Sequence, residues 1–558
     1  MYLSFLIILL SLINDSYQLV PSEIIKTDKG SVQGKILTTV VKKVEYSYFA
    51  GIPYGKPPIG YLRFKPPVEV DDWEGVLNTT KEASVCPQWN YDESYFAGSE
   101  DCLYLNVYTP KINSNDTKAR AVMVWIYGGA FVTGYINSTK YGPDFIIEED
   151  VILVAMNYRL GALGFLSLDH ENATGNAGLK DQNLALQWVK RNIIHFGGDP
   201  DKVTIFGQSA GSASVGFHVL SDLSTGLFNG AIYMSGTPLN LWAFYRPDQA
   251  VSRSFYIGKI LGVETNNKTV LLNKLYSVTA EDIILATKNM TLLDLPFNPT
   301  IEDTKVTDKP FLNECSLKKY KSGDYNKVPQ IIGFVEVETL SFASSVTTFI
   351  QVINDTIAEL IDIPLLREID DVKVLDDILA TGLSGLGDLT SDVIYAALNV
   401  TTDILFKDGI DRTQYYLDKS SEAPIYYYHN KFDYPEALHK VEGNFLNGTA
   451  HSDDIAHIFW VSDKDQSLDP NSQIFEQRNK MVRMWTNFAK YGNPTPNASD
   501  PILNITWPAS GSAGTCLDIN NNEYFIGERP ISPLLKTAQL LIDPLRDYDN
   551  GCSSSLLK

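Results

Sequence analysis

From about residue 120 onward, short unbroken apolar runs alternate with segments whose apolar positions recur at helical spacing. Residues 121–127 (AVMVWIY) and 151–157 (VILVAMN) are too continuously apolar for half-exposed strands and predict fully buried ones. Residues 183–196 place Leu184, Leu186, Trp188, Ile193 and Ile194 on one stripe and predict a helix. A strand over 202–206 follows, then a turn of small residues, then an amphipathic stretch through Leu220. Residues 231–234, 330–334 and 424–428 are further strand candidates, and 475–490 reads as the final helix. Strands alternating with helices imply a mostly parallel sheet covered by helices on both faces. Residues 240–330 and 345–420 are more polar and irregular, and read as long helical insertions above the sheet. No linker, charge run or fixed-period repeat divides the chain, so one large α/β domain over 19–558 is expected.

The first eighteen residues change the cellular picture. Residues 3–13 are apolar and the chain then turns polar, which is too short to span a bilayer but suits a secretory signal peptide over 1–18. No second long apolar run and no lipid-anchor motif follows, so a secreted, extracellular protein without a membrane anchor is expected. Asn-x-Ser/Thr acceptors recur at Asn78, Asn115, Asn137, Asn172, Asn267, Asn289, Asn354, Asn399, Asn447, Asn497 and Asn504, a density that suits a glycoprotein. Of five cysteines, Cys86 and Cys102 are near enough to close a short loop, and the odd total leaves at least one thiol over. A formal charge of −21 argues against a nucleic-acid partner. Neither C-x-x-C nor H-E-x-x-H occurs, so no metal site is expected.

The stretch TIFGQSAGSAS, residues 204–214, concentrates the chemistry. A buried strand runs into a helix through Gly207-Gln-Ser-Ala-Gly211, the arrangement that holds a serine on a strained corner as a nucleophile. The N-terminus of that helix aims free N–H groups at the corner, where an oxyanion would form. A serine hydroxyl needs a base, and the base needs an acid to orient it. If the chain order is serine, acid, histidine, the candidates for the base are His429, His439, His451 and His457. His429 ends a strand, His439 follows a helical segment, and His457 lies within the apolar IAHIFW. His451 sits in a loop of small and polar residues, where catalytic side chains are usually mounted. For the acid, Glu336 and Glu338 both follow the strand 330–334, and alternation cannot separate residues two apart on an extended chain. A Gly-rich turn after residues 121–127, Gly128-Gly-Ala-Phe131, could expose N–H donors to an oxyanion.

These residues resemble the type-B carboxylesterase and cholinesterase family, which has the α/β-hydrolase fold. The runs at 196–211 (FGGDPDKVTIFGQSAG) and 100–110 (EDCLYLNVYTP) look like its two signatures. GIPYGKPP at 51–58, NYRLGALGF at 157–165 and GLKDQ at 178–182 are similar as well. The resemblance implies a catalytic serine at Ser209, the histidine at His451, and the acid at Glu338, five residues beyond Gly333. Val337 and Thr339 stand where the family usually has aspartate and glycine. It further implies oxyanion donors at Gly129, Ala130 and Ala210, with Ala130 in place of a third glycine, and a Cys86–Cys102 disulfide. Cys315, Cys516 and Cys552 have no evident family counterparts. Ser235 resembles a buried serine that supports the family's acid. The implied reaction is a two-step acyl transfer on a small-molecule ester, with no cofactor.

Three readings compete. The first is a secreted, insect-like carboxylesterase. The second is a juvenile-hormone-esterase-like enzyme, because Gln208 precedes the nucleophile where many relatives carry glutamate. The third, a non-catalytic neuroligin-like binding protein, fits poorly, since Ser209, Glu338 and His451 are all present. A cholinesterase proper is disfavoured, because Trp89 lies too near Cys86 to match the family's choline-stacking tryptophan.

Overall fold

The computed structural model describes residues 19–548, apart from residues 92, 111–117, 289–296, 361–368, 384, 442–445, 463 and 465. The signal segment 1–18 therefore lies outside the described residues, as does Cys552.

The apolar runs become the middle of one twisted sheet. Twelve strands of its main path are β1 (Pro21–Lys26), β2 (Ser31–Thr38), β3 (Glu45–Pro53), β4 (Tyr104–Pro110), β5 (Arg120–Ile126), β6 (Ile152–Met156), β7 (Gly198–Gln208), β8 (Gly230–Met234), β9 (Gln330–Val335), β10 (Ile425–Asn430), β11 (Cys516–Ile519) and β12 (Tyr524–Gly527). Their spatial order is β1-β2-β3-β4-β6-β5-β7-β8-β9-β10-β11-β12. The run from β6 to β11 is parallel throughout. Antiparallel strands flank it at both ends, β1 to β4 on one side and β12 on the other. β6, β8, β9 and β10 are buried along their whole length, as expected of parallel strands covered on two faces. This is the α/β-hydrolase architecture expected from the residues.

Three helix expectations need correction. The helix predicted over 183–196 starts earlier, as α1 (Ala177–Asn192), and ends in a 3₁₀ turn over Ile193–Phe196. Its first turns carry Lys180 and Asp181, which are buried polar residues with distant partners: Glu302 meets Lys180 at 2.5 Å, and Arg159 meets Asp181 at 2.6 Å. Apolar periodicity could not register them. The stretch after Ser209, α2 (Ala210–Leu220), is not amphipathic but buried on every side, its Ala, Gly and Ser residues allowing close approach to the sheet. The helix predicted over 475–490 spans Gln473–Tyr491 and is not the last, because another helix covers Pro533–Tyr548. The insertions are helical as read, and include Val346–Leu360, Ser391–Thr402 and Asp408–Ser420.

Parallel strands place all their carboxyl ends along one edge of the sheet, which is where ligands bind in such folds. β5 ends before Gly128, β7 at Gln208, β8 before Ser235 and β9 before Glu336. Residues remote in sequence thus converge on one edge.

Candidate active site

At the end of β7 the chain turns through Ser209, whose backbone lies at φ 58°, ψ −127°, outside the ordinary regions for an L-residue. The corner is tight because the glycines beside it leave no room for a side chain. A Cβ on Gly211 would fall 2.0 Å from the carbonyl oxygen of Ile126, and one on Gly207 would fall 2.5 Å from the backbone of Gly211. Neighbouring strands hold the turn in place: the Ser209 N–H donates to the carbonyl of Met234 at 2.9 Å. A Cβ on Gly236 would fall 2.5 Å from the Ser209 carbonyl oxygen, so the loop after β8 lies directly on the corner.

The three expected oxyanion donors lie around this corner. Ala210 is the first residue of α2, so its N–H has no acceptor within the helix. Gly129, Ala130 and Phe131 follow one another at φ 111°, 54° and 60°. Three consecutive positive-φ residues curl the backbone tightly, and the turn closes on itself through the Val132 and Thr133 N–H groups, which donate to the Gly129 carbonyl at 3.0 Å. Alanine at position 130 accepts this conformation, at a strain of about 1–2 kcal/mol relative to glycine. Gly128 touches the corner itself, since a Cβ there would lie 2.5 Å from the Gln208 carbonyl oxygen and 2.9 Å from Ser209 Cβ.

Glu336 and Glu338 separate cleanly. β9 stops at Val335, and Glu338 opens a 3₁₀ turn over Glu338–Ser344, so the two residues do not share an extended backbone. Glu338 is fully buried; its Oε1 accepts the Val335 N–H at 3.0 Å and its Oε2 lies 2.6 Å from His451 Nδ1. The His451 N–H also donates to the Glu338 carbonyl, at 3.3 Å. Glu336 is half-buried, and burial pushes its carboxyl above the usual range, eased by Lys431 and Lys407. Thr339, which stands where the family has glycine, ties this turn to the helical insertion: its hydroxyl meets Thr401 Oγ1 at 2.7 Å, Thr402 Oγ1 at 3.0 Å and the Leu398 carbonyl at 2.9 Å.

The other ring nitrogen, His451 Nε2, lies 3.0 Å from the side-chain nitrogen of Gln208. With the Nδ1 proton directed at Glu338, Nε2 carries the lone pair and accepts from the amide. Ser209 Oγ makes no hydrogen bond among the described residues, and the partner of His451 Nε2 is the Gln208 amide. Phe406 packs against the His451 ring, with centroids 4.9 Å apart and the planes tilted by 49°.

The remaining histidines have other surroundings. His429 is buried in β10 against Phe334, centroids 4.8 Å apart, and burial lowers its pKa well below the ordinary value. His457 is buried beside Phe432 and Tyr434, and burial lowers its pKa to about 3. His439 is buried with both nitrogens on acceptors, Asp453 Oδ2 at 2.7 Å and the Leu446 carbonyl at 3.1 Å. A ring with two acceptors must donate twice, and so is an imidazolium. Burial opposes that charge, but the bonds to Asp453 outweigh it and raise the pKa. Asp453 also accepts the Ala450 N–H at 2.7 Å, which clips the loop bearing His451 in place.

Sequence reasoning missed Asp454, three residues beyond His451. Burial, then the charges of Glu338 and Asp453, push its carboxyl up to about 8. The Tyr428 hydroxyl faces it and eases the shift without reaching hydrogen-bond geometry. Asp454 is therefore a neutral carboxylic acid at pH 7 beside Glu338. Ser235 does not behave as the resemblance implies: it is buried at φ 58°, and its Oγ has no hydrogen-bond partner among the described residues, Glu338 included.

Away from the site, Cys86 and Cys102 are joined in a disulfide. Cys315 is disulfide-bonded too, and Cys516 is free and buried. Among the glycosylation candidates, Asn78, Asn267, Asn354, Asn399, Asn447, Asn497 and Asn504 are exposed and Asn137 and Asn172 partly so, while Asn115 and Asn289 lie outside the described residues. No helix among the described residues is long and apolar enough to cross a membrane.

Fold and site together define a serine carboxylesterase, and residues 21–530 match the model of the carboxylesterase family, to which this chain belongs. It is 34% identical over 511 residues to juvenile hormone esterase of Tribolium castaneum, covering 87% of this chain and 85% of that one. It is also 33% identical over 521 residues to acetylcholinesterase of Bungarus fasciatus, covering 87% and 81%. Among solved structures it is similar to juvenile hormone esterase from Manduca sexta with OTFP covalently attached, at TM-score 0.81 and 26% identity, over 95% of this chain and all of that one.

Proposed function

We propose that this chain is a secreted esterase that works through a Ser209–His451–Glu338 triad and an acyl-enzyme intermediate. The observation that carries the reading is the 2.6 Å bond between His451 Nδ1 and Glu338 Oε2, made beside a serine on a strained corner. In the first step Ser209 Oγ displaces the Gln208 amide from His451 Nε2, loses its proton to that nitrogen and attacks the ester carbonyl. Glu338 stabilises the resulting imidazolium, and the N–H groups of Gly129, Ala130 and Ala210 bind the oxyanion. The alcohol leaves with the proton from His451. Water then attacks the acyl-enzyme, with His451 again as base, and no cofactor takes part.

Within this reading the alcohol or acid portion is neutral and apolar, as in juvenile hormone, rather than a quaternary ammonium. Trp89, the nearest match to a choline-stacking tryptophan, already holds the Lys288 ammonium 4.1 Å from its ring centroid. Gln208 and the likeness to two juvenile hormone esterases support the same direction. Purified protein should hydrolyse p-nitrophenyl acetate and be labelled at Ser209 by a fluorophosphonate; neither turnover nor label would reject the enzyme reading. A panel of juvenile hormone, short-chain esters and acetylcholine tests the substrate class, and a preference for acetylcholine would overturn it.

A further inference from the structure

The mechanism above leaves Phe406 unused, although its ring packs against the proposed base. Phe406 is buried and belongs to a π-helical turn over Asp403–Lys407, inserted between the helices Ser391–Thr402 and Asp408–Ser420. A π turn widens the helix by one residue, puts carbonyls out of register, and is retained mostly where a site needs it. Here those carbonyls are captured from outside the helix. Asn240 Nδ2 donates to the carbonyls of Leu405 and Phe406 at 2.9 and 2.7 Å, and Trp242 Nε1 donates to that of Leu405 at 3.0 Å. Asn240 is itself fixed, because its Oδ1 accepts the Thr237 N–H at 2.7 Å. The fit is close: a Cβ on Gly409 would fall 2.6 Å from the Asn240 nitrogen. Asn240 lies on the loop after β8, the same loop whose Gly236 lies against the Ser209 backbone. One loop therefore touches the nucleophile's corner and clamps the turn that carries Phe406.

We propose that Phe406, held by the Asn240–Trp242 clamp, is a positioning residue that fixes the His451 ring and stabilises it as an imidazolium during acyl transfer. This rests on the reading of His451 as the base. Phe406 lies 4.9 Å from His451, centroid to centroid, with the rings tilted by 49°. An aromatic ring attracts a cation that lies within about 6 Å of its centroid over the face, more strongly when water is excluded. In the proposed step the ring gains positive charge as it takes the serine proton, so this attraction favours the transition state over the ground state. A residue acting in that way changes kcat and leaves KM alone.

The test compares Phe406→Leu, which keeps bulk without a π face, with Phe406→Tyr, which keeps the ring. Esterase kinetics and the rate of fluorophosphonate labelling at Ser209 are measured on the full chain. Phe406→Leu should lower kcat and the labelling rate about tenfold, equivalent to about 1.4 kcal/mol, with KM within about twofold, and Phe406→Tyr should restore both. Asn240→Ala, which removes the amide's bonds to the Leu405 and Phe406 carbonyls, should lower kcat in the same sense and covers the case of a leucine variant that does not fold. Unchanged kcat in Phe406→Leu and Asn240→Ala, or a rise in KM alone, would overturn the inference while the triad reading stands. Wild-type protein that is neither active nor labelled would overturn both.

Discussion

Replacing Asp454 with asparagine should stabilise the protein increasingly as pH rises. The Asp454 carboxyl is fully buried, and its pKa moves from the ordinary 3.8 to about 8. Between those limits the unfolded chain releases the proton and the folded one keeps it, so folding must drive proton uptake at this residue. Relative to low pH, stability is lost at about 1.4 kcal/mol per pH unit, reaching an upper figure of about 5 kcal/mol near pH 8. Above that the carboxyl ionises in both states and the dependence flattens. Asparagine has nearly the same shape and no proton to release, so Asp454→Asn removes this dependence. The stability difference, variant minus wild type, should grow by about 3 kcal/mol between pH 5 and pH 7.5 in urea unfolding with disulfides intact. The difference between pH values is the decisive quantity, since any fixed effect of the amide on local contacts cancels from it. Esterase activity at pH 7 should survive, because Glu338 and His451 meet a neutral neighbour in both proteins. A stability difference that stays flat or shrinks across this range would refute a neutral Asp454.

Glu338→Gln should reduce kcat by orders of magnitude while Glu336→Gln leaves it within a few-fold; the reverse in steady-state kinetics would move the acid to Glu336. Gly211→Ala should abolish activity at least about a hundredfold, because its Cβ would stand 2.0 Å from the Ile126 carbonyl oxygen and must displace the nucleophile's corner. His439→Gln should lower stability by about 3 kcal/mol at pH 6. His439 has its pKa raised in the fold, so its contribution is full below its unfolded pKa and fades as pH rises through the folded one. The variant should therefore approach wild type in alkaline melts, and a gap that widens there would refute the imidazolium. Replacing Cys86 and Cys102 together by serine should cost about 3 kcal/mol in urea unfolding, for a loop closed over 16 residues.

What could be read from sequence follows physical locality. A strand buried on both faces advertises itself as an apolar run, so the strands from β5 to β10 were legible; β1 and β2, with mixed burial, were not. The serine's corner was legible because its requirements, glycines two residues to either side, are themselves local. The proposed acid was not, since alternation assumes an extended chain, and the chain leaves the strand at Val335 to begin a 3₁₀ turn at Glu338. Only the resemblance to a family selected it. Ser235 shows the opposite risk, for there the resemblance supplied a role that its unpartnered hydroxyl does not perform. Asp454 and Phe406 left no signal, because one is defined by burial beside a charge 116 positions away and the other by an irregular helical turn.

The same locality explains why this edge of the sheet can hold a reactive arrangement. Three neighbouring parallel strands, β5, β7 and β8, are followed within a few residues by Ala130, Ser209 and Ser235, at φ 54°, 58° and 58°. Each is a non-glycine residue in left-handed backbone, at about 1–2 kcal/mol of strain. A loop free to relax would give up that strain by rotating away, and with it the exposed serine and the curled donors. Here the strands are hydrogen-bonded on both sides, and the loops press on one another at Gly128, Gly211 and Gly236, where not even a methyl group fits. Relaxing one corner would require separating the sheet. The strain is therefore retained as fixed orientation, which a nucleophile and an oxyanion site need before any substrate arrives.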